Sequence, residues 1–373
     1  MSEVARVPQL RFPEFSNEWE KNKLGNLAVI KSGISPSKYE LKTTGSLPFL
    51  KVEDLNNCRK YQFNSRVYSE SLKNSINKNS VIFPKRGAAI RLNKVRINKV
   101  AALMDSNLMA LLPNTELLNT EFLYYKIMLD GLYKIADTST IPQINNKHIL
   151  PYKLNLPILP EQQKIAAFLT AVDSKIEQLS KKQELLGEYK KGLMQQIFSQ
   201  AIRFRAGDTP GQPLLPNGNS PSGSDFPNWE EKRLGDLCEI TTGKLDANAM
   251  VEGGQYRFYT CAKEYYKIDD YAFDTDALIV SGNGANVGYI HHYQGKFNAY
   301  QRTYVLDSFT DNIIFVKFVL DEYLHKRIMK EKNEGNTPYI VMGTLTDMKI
   351  NLPSFSEQTK IAIFLSSIDS KIE

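Results

Sequence analysis

Chemistry in this chain has few places to reside. Long polar side chains that can read hydrogen-bonding edges gather in several short stretches. Lys85, Arg86 and Arg91 form one, and Gln143, Asn145, Asn146 and Lys147 a second. Arg, Gln and Asn each present paired donors, or a donor beside an acceptor, which match the edges of guanine or adenine in the major groove. A later group holds Lys244, Lys263, Asn283, Asn286, Gln301, Arg302 and Tyr339. The plainer reading of each is a solvated polar surface, and turn geometry alone accounts for asparagine at a position such as Asn286.

Signatures of catalysis are missing. There is no Gly-x4-Gly-Lys-Ser/Thr loop for a nucleotide triphosphate and no His-Glu-x-x-His helix for zinc. The (Asp/Asn)-Pro-Pro-(Tyr/Phe) tetrapeptide with which amino-methyltransferases grip a flipped base does not occur. His291-His292 lacks a nearby third ligand and reads as a solvated strand pair. Ser281-Gly-Asn-Gly-Ala-Asn-Val-Gly288 has the spacing Gly-x-Gly-x3-Gly, and Tyr289 to Tyr293 reads as a strand where a dinucleotide cradle needs a helix. A tight hairpin is expected there. The first half places Pro84-Lys-Arg-Gly-Ala-Ala-Ile90 at the corresponding spot, with only Gly87/Gly284 and Ala88/Ala285 retained.

These groups sit in a frame that occurs twice. Residues 161–177, EQQKIAAFLTAVDSKIE, and 357–373, EQTKIAIFLSSIDSKIE, are identical at 12 of 17 positions at an offset of 196. The register continues upstream through Pro142/Pro338, Ile144/Ile340 and Leu156-Pro157/Leu352-Pro353. Further back, Trp19, Leu24, Gly25, Leu27 and Gly33 match Trp229, Leu234, Gly235, Leu237 and Gly243 at an offset of 210, each set preceded by Phe-Pro (Phe12-Pro13, Phe226-Pro227). Such self-similarity marks a duplicated structural unit.

The repeated tail predicts a long helix. Ile165, Leu169, Val172, Ile176, Leu179, Leu186, Leu193 and Ile197 step by fours and threes along one seam. Gln183 and Lys190 interrupt it. Pro160, Glu161 and Gln162 suit a first turn, and a run to Ser199 of roughly 38 residues spans about 55 Å. The second copy carries Ile361, Leu365, Ile368 and Ile372 on the same seam. The expectation is that 161–177 and 357–373 pack antiparallel, burying Leu169, Val172 and Ile176 against Leu365, Ile368 and Ile372. Lys164, Asp173, Lys175 and Glu177, with Lys360, Asp369 and Lys371 in the second copy, lie off the seam. Charges kept in both copies point to like partners on like surfaces.

The variable parts mix strands (Ser80–Phe83, Ala277–Val280) with amphipathic helices (Glu121–Leu132, Phe315–Lys330). The fold class is α+β: two similar units on two long antiparallel helices, related by a pseudo-twofold. The boundaries expected are 1–159 for the first domain and 160–205 for the first helix. A Gly/Pro/Ser-rich linker follows at 206–225, then the second domain at 226–356 and an incomplete second helix at 357–373.

Bulk properties agree. The 373 residues carry a net charge of +6, unevenly spread. Residues 20–153 hold 21 Lys+Arg against 10 Asp+Glu, net +11, while 230–350 hold 14 against 18, net −4. A basic first half invites nucleic acid. Cys58, Cys238 and Cys261 form no Cys-x-x-Cys pair, so a reduced cytoplasmic protein without structural zinc is expected. No apolar run is long enough to span a membrane, and Met1 to Leu10 lacks the pattern of a secretory leader.

The layout resembles the specificity subunit of type I restriction–modification systems. The residues that carry the resemblance are Trp19 to Leu27 and Trp229 to Leu237, the approaches Thr140-Ile-Pro142 and Asn336-Thr-Pro338, the Leu-Pro pairs, and the helix starts at Glu161 and Glu357, both Glu-Gln-x-Lys-Ile-Ala-x-Phe-Leu. The resemblance implies two target recognition domains, each reading one half of a split, asymmetric double-stranded DNA site. It also implies helices that bind two methyltransferase subunits, in a complex with two restriction/translocase subunits. S-adenosylmethionine, ATP and magnesium are then cofactors of those partners, with none bound by this chain and no catalytic residue in it. A rival of another class is a coiled-coil adaptor without a DNA role, which explains the helices but not the basic first domain.

Overall fold

The computed structural model describes residues 8–137, 141–205, 207, 226–331 and 338–372. The linker 206–225, apart from Gly207, therefore lies outside the described residues, as do Thr140, Asn336 and Glu373. The chain divides into two compact units, Met1–Gln178 and Leu179–Glu373.

Each unit opens with the repeated Trp-x4-Leu-Gly-x-Leu stretch and closes a two-stranded ribbon with the strand before its long helix. Glu20–Lys23 pairs antiparallel with Lys153–Leu156, and Glu230–Arg233 with Lys349–Leu352. The ribbon joins the front repeat to the back repeat, which explains how two different sequence offsets describe one structure. Leu24 and Leu234 then turn inward with no exposure, their amides donating to Tyr152 O and Met348 O, both at 2.8 Å. The glycines of the frame answer to close backbone approach. A Cβ on Gly33 would stand 1.9 Å from Asp105 O, and one on Gly243 2.0 Å from Ala299 O.

In the first unit a five-stranded sheet runs Ala28–Ser32, Leu108–Pro113, Val81–Pro84, Arg96–Asn98, Tyr61–Gln62. Helix α1 (Thr120–Asp130) is capped by Asn119 Oδ1, which accepts from Phe122 N, and packs Phe122, Leu123 and Ile127 against Val81, Phe83, Ile97 and Leu111. Short helix α2 (Asn146–Ile149) precedes the ribbon strand, and α3 (Leu159–Phe198) follows it. The second unit has a six-stranded sheet ordered Glu239–Thr242, Thr303–Asp307, Phe273–Ser281, Ile290–Ala299, Tyr256–Tyr259, Tyr266–Ile268. Helix α4 (Ile313–Glu331) takes the place of α1, with Asn312 Oδ1 accepting from Phe315 N. Helices α5 (Met342–Thr346) and α6 (Phe355–Ile372) complete it. The expected strands and helices are present. Ser281–Gly288 forms the connection between two antiparallel strands, as a hairpin reading requires.

One expectation is overturned. The stretch of α3 that lies antiparallel to α6 is 183–198, not 161–177. Lys190 Nζ contacts Asp369 Oδ1 at 2.6 Å and Gln183 Nε2 donates to Ile372 O at 3.0 Å, while Met194, Ile197 and Phe198 share one core with Ile361, Leu365 and Ile368. Val172 and Ile176 are 40 % and 42 % exposed, so the seam is not buried there. The two halves of α3 carry the same heptad spacing, and spacing alone does not say which half meets the shorter helix.

Candidate nucleic-acid interface

The residues singled out in the first unit come from two distant stretches and meet. The strand Val81–Pro84 ends at Lys85, and Arg86 forms an antiparallel bridge with Gln143. Gly87 N donates to Pro142 O at 2.9 Å and Ile144 N to Lys85 O at 2.9 Å. Gly87 has φ +76 with open space around it, so the chain turns at a protruding tip and leads through Ala88–Ile90 to exposed Arg91. Asn145 precedes α2, and Asn146 and Lys147 form its exposed first turn. His148 Nδ1 accepts from Asn145 N at 3.1 Å, which fixes that turn. Arg86, Arg91 and Lys147 have no ion-pair partner among the described residues. Lys85 is half-buried, and burial followed by the nearby Arg86 lowers its ammonium pKa from the ordinary lysine value.

The second unit repeats the construction with other side chains. Asn283 bridges Tyr339 where Arg86 bridges Gln143, and Ile340 N donates to Gly282 O at 2.8 Å. Gly284 has φ +79 and open space, as Gly87 does. The other candidates join this edge. Gly282 N donates to Arg302 O at 2.9 Å, and Gln301 N to Leu245 O at 2.9 Å, which brings Lys244 alongside. Asn286 Nδ2 donates to Cys261 O at 3.1 Å, two residues from Lys263. Asn286 and Gln301, which also donates to Asp246 Oδ1 at 2.9 Å, have spent part of their donor capacity inside the protein. Arg302 and Tyr339 are exposed.

The common geometry exposes residues that sequence reasoning passed over. Lys85 N donates to Asn107 O at 2.8 Å, as Gly282 N does to Arg302 O, so the Ser106-Asn107 turn occupies in the first unit the position of Gln301-Arg302. Its signal was the Gly33/Gly243 match, since each glycine abuts the turn's own backbone. Arg257 was also missed. Its guanidinium lies 4.3 Å from the ring centroids of both Tyr265 and Tyr293. The His291-His292 pair splits between the two faces of its strand. His291 bonds Ala262 O and His292 bonds Asp276 Oδ1 at 2.7 Å, and burial lowers the His291 pKa. No metal-binding cluster of His, Cys, Asp and Glu occurs among the described residues.

The Glu-Gln pair that starts each long helix has a structural task. Glu161 is fully buried and takes Arg11 bidentately, Nε at 2.7 Å and Nη2 at 2.6 Å, with Trp19 Nε1 at 3.3 Å. Glu357 takes Arg203 at 3.1 and 2.7 Å and Trp229 Nε1 at 3.2 Å. Gln162 accepts from Asn119 N and Gln358 from Asn312 N, both at 2.9 Å, tying each helix start to the cap of α1 or α4. The repeated Arg-Phe pair, Arg11-Phe12 and Arg203-Phe204, was the readable sign.

The repeated charges divide in two. Lys164 meets Glu14 and lies 4.7 Å over the Phe12 ring, while Lys360 donates to Arg205 O at 3.0 Å and lies 5.8 Å from the Phe226 ring. Asp173 accepts from Tyr125 OH at 2.6 Å, and Asp369 pairs with Lys190. These four have internal bonds that by themselves account for their repetition. Lys175, Glu177 and Lys371 are exposed without such partners among the described residues.

Comparison with known proteins agrees with the repeated frame. The family described as Type I restriction modification DNA specificity domain matches twice, over residues 16–186 and 227–373, and the chain belongs to that family. The Type I restriction enzyme EcoDI specificity subunit of Escherichia coli is 44 % identical over 146 residues, 39 % of this chain and 32 % of that protein. The MjaVIII specificity subunit of Methanocaldococcus jannaschii is 23 % identical over 397 residues, 98 % of this chain and 88 % of that one. In fold, the chain is similar to the S subunit of a type I restriction–modification system from M. genitalium, with a TM-score of 0.66 at 18 % identity, covering 98 % of this chain and 93 % of the other.

Proposed function

We propose that this chain is the sequence-specific DNA-binding specificity subunit of a type I restriction–modification complex in the cytoplasm. Each unit reads one half of a bipartite, asymmetric target in double-stranded DNA. The observation that carries the reading is the pair of bridges Arg86–Gln143 and Asn283–Tyr339. One backbone device, built twice on a repeated frame, presents different side chains at its tip. A catalyst duplicated in this way would keep its reacting groups, whereas a reader of two different half-sites must change them.

The base-reading candidates are Lys85, Arg86, Arg91, Gln143, Asn145, Asn146 and Lys147 in the first unit. In the second they are Lys244, Lys263, Asn283, Asn286, Gln301, Arg302 and Tyr339. The chain holds no catalytic group in this reading. It directs two methyltransferase subunits and two restriction/translocase subunits, and S-adenosylmethionine, ATP and magnesium are bound and used by those partners. Lys175, Glu177 and Lys371 are the repeated charges left for partner contact. The family match favours this reading over an adaptor without a DNA role. The test exchanges residues 230–350 for the same region of a relative and sequences the methylated motif in cells. One half of the motif should change and the other persist. A motif altered in both halves, or in neither, would overturn the assignment.

A further inference from the structure

The turn beside each hairpin tip has one backbone in both units and two kinds of side chain. Ile144 N donates to Lys85 O at 2.9 Å and Ile340 N to Gly282 O at 2.8 Å. Ile144 and Ile340 are buried, and so are Ile149 and Leu345 five residues on. Asn145 holds the position before α2 and Val341 the position before α5, with His148 N donating to Asn145 O and Thr344 N to Val341 O, both at 2.9 Å. Between these anchors the first unit carries Gln143, Asn145 and Asn146, and the second carries Tyr339, Val341 and Met342.

The second set is apolar and open. Tyr339, Val341 and Met342 are 56 %, 51 % and 41 % exposed. Folding does not account for Val341. The position before a helix favours Asn, Asp, Ser or Thr, whose side chain accepts from the open helix amides, and valine is among the poorest residues there. Val341 makes no such bond, and half-exposed it gains little from the core. The bridge from Tyr339 to Asn283 sets this turn against the tip, as the bridge from Gln143 to Arg86 does in the first unit.

We propose that Tyr339, Val341 and Met342 form an apolar reading edge for thymine, packing on its C5-methyl group in the major groove of the second half-site. In unmodified DNA that methyl is the one apolar feature on the major-groove edges of the bases. Gln143, Asn145 and Asn146 meet hydrogen-bonding edges from the same turn in the first unit, so the two half-sites differ in the kind of contact made there. The edge also suits a unit with a net charge of −4 over residues 230–350, because contact with a methyl group needs no cation. The inference rests on the DNA-reading function proposed above.

The test takes the chain assembled with its methyltransferase subunits and a fluorescent duplex of the motif that the assembly methylates in cells. Each thymine of the second half-site, on either strand, is replaced in turn by deoxyuridine, which removes only the methyl group. Affinity is read by anisotropy competition. At least one replacement should weaken binding about fourfold, the size expected for one buried methyl group. The double variant Val341→Asn, Met342→Asn carries the first unit's pair in the same turn. It should keep the parent's melting temperature and bind the thymine and deoxyuridine duplexes equally. The deoxyuridine series on the parent chain needs no variant to fold. Equal affinity of the parent for every deoxyuridine duplex, or full methyl discrimination kept by the double variant, would overturn the proposal. A parent that binds its motif tightly and ignores the methyl groups loses this inference and keeps the DNA-reading function. An assembly indifferent to the motif itself loses both.

Discussion

At the scale of single residues the hairpin tips make distinct predictions. Arg86 is exposed and held by its own backbone bridge, so its side chain adds nothing to folding. Arg86→Ala should leave the melting temperature unchanged. It should cost about 1–3 kcal/mol in specific binding and relax one base position in the first half-site only, read from competition binding and from the methylated motif. An unchanged motif would remove Arg86 from the readers. Lys85 is different, because burial and Arg86 disfavour its charge in the folded chain. Its folded pKa lies below the unfolded value, so between the two the unfolded chain binds more protons and stability rises with pH. Lys85→Met should abolish that alkaline rise in a pH series of denaturant melts, raise stability at neutral pH and weaken DNA binding. The meeting of these tips was only half legible in the sequence. Each run of Lys, Arg, Asn or Gln could be seen, but the bridge from Arg86 to Gln143 spans a long-range pairing that no local pattern encodes.

Elements tell a similar story. The heptad stripe of α3 was plain from spacing, and so was its length. What faces each half was not, because periodicity identifies an apolar face and is silent about the surface opposite. The Glu-Gln pair marks a helix start in the sequence and in the fold, while its clamp on Arg11 and Trp19 depends on contacts 150 and 142 residues apart that no local spacing encodes. Removing one partner from a buried pair strands the other charge. Glu161→Ala should therefore destabilise the first unit by about 3–5 kcal/mol in denaturant unfolding. The double variant Arg11→Met, Glu161→Met should recover much of that loss. A double variant that loses the sum of the two single-variant losses would mean that the clamp is not a coupled pair. The Lys190–Asp369 pair is partly exposed, so Asp369→Asn should cost no more than about 1 kcal/mol.

For the whole molecule, the unequal charge of the two units is the property with a measurable signature. The first carries +11 over residues 20–153 and the second −4 over 230–350. Phosphate neutralisation releases counterions, and the salt dependence of binding counts the contacts. A duplex containing only the first half-site should bind with a steeper loss of affinity between about 50 and 200 mM salt than one containing only the second. Equal slopes by anisotropy titration would show that the second unit concentrates its fewer cations as effectively as the first. The charge imbalance and the repeat were readable from composition and self-similarity, because these depend on bulk and register rather than on contacts. The division between Gln178 and Leu179, inside α3, was not, because it is set by contacts.

The clamps also bear on how the chain comes to be folded. Arg11 and Glu161 are 150 residues apart, and Arg203 and Glu357 are 154 apart. Contacts of such long separation close late, after most of the loop entropy between them has been spent. A nascent chain that has emerged through the ribbon strand Lys153–Leu156 holds nearly all of the first unit, yet its arginine and tryptophan still await their carboxylate. The first turn of α3 then acts as a latch on completed synthesis. Interrupted translation leaves an unlatched unit open to proteolysis, so reading heads without their helix should rarely accumulate in the cell.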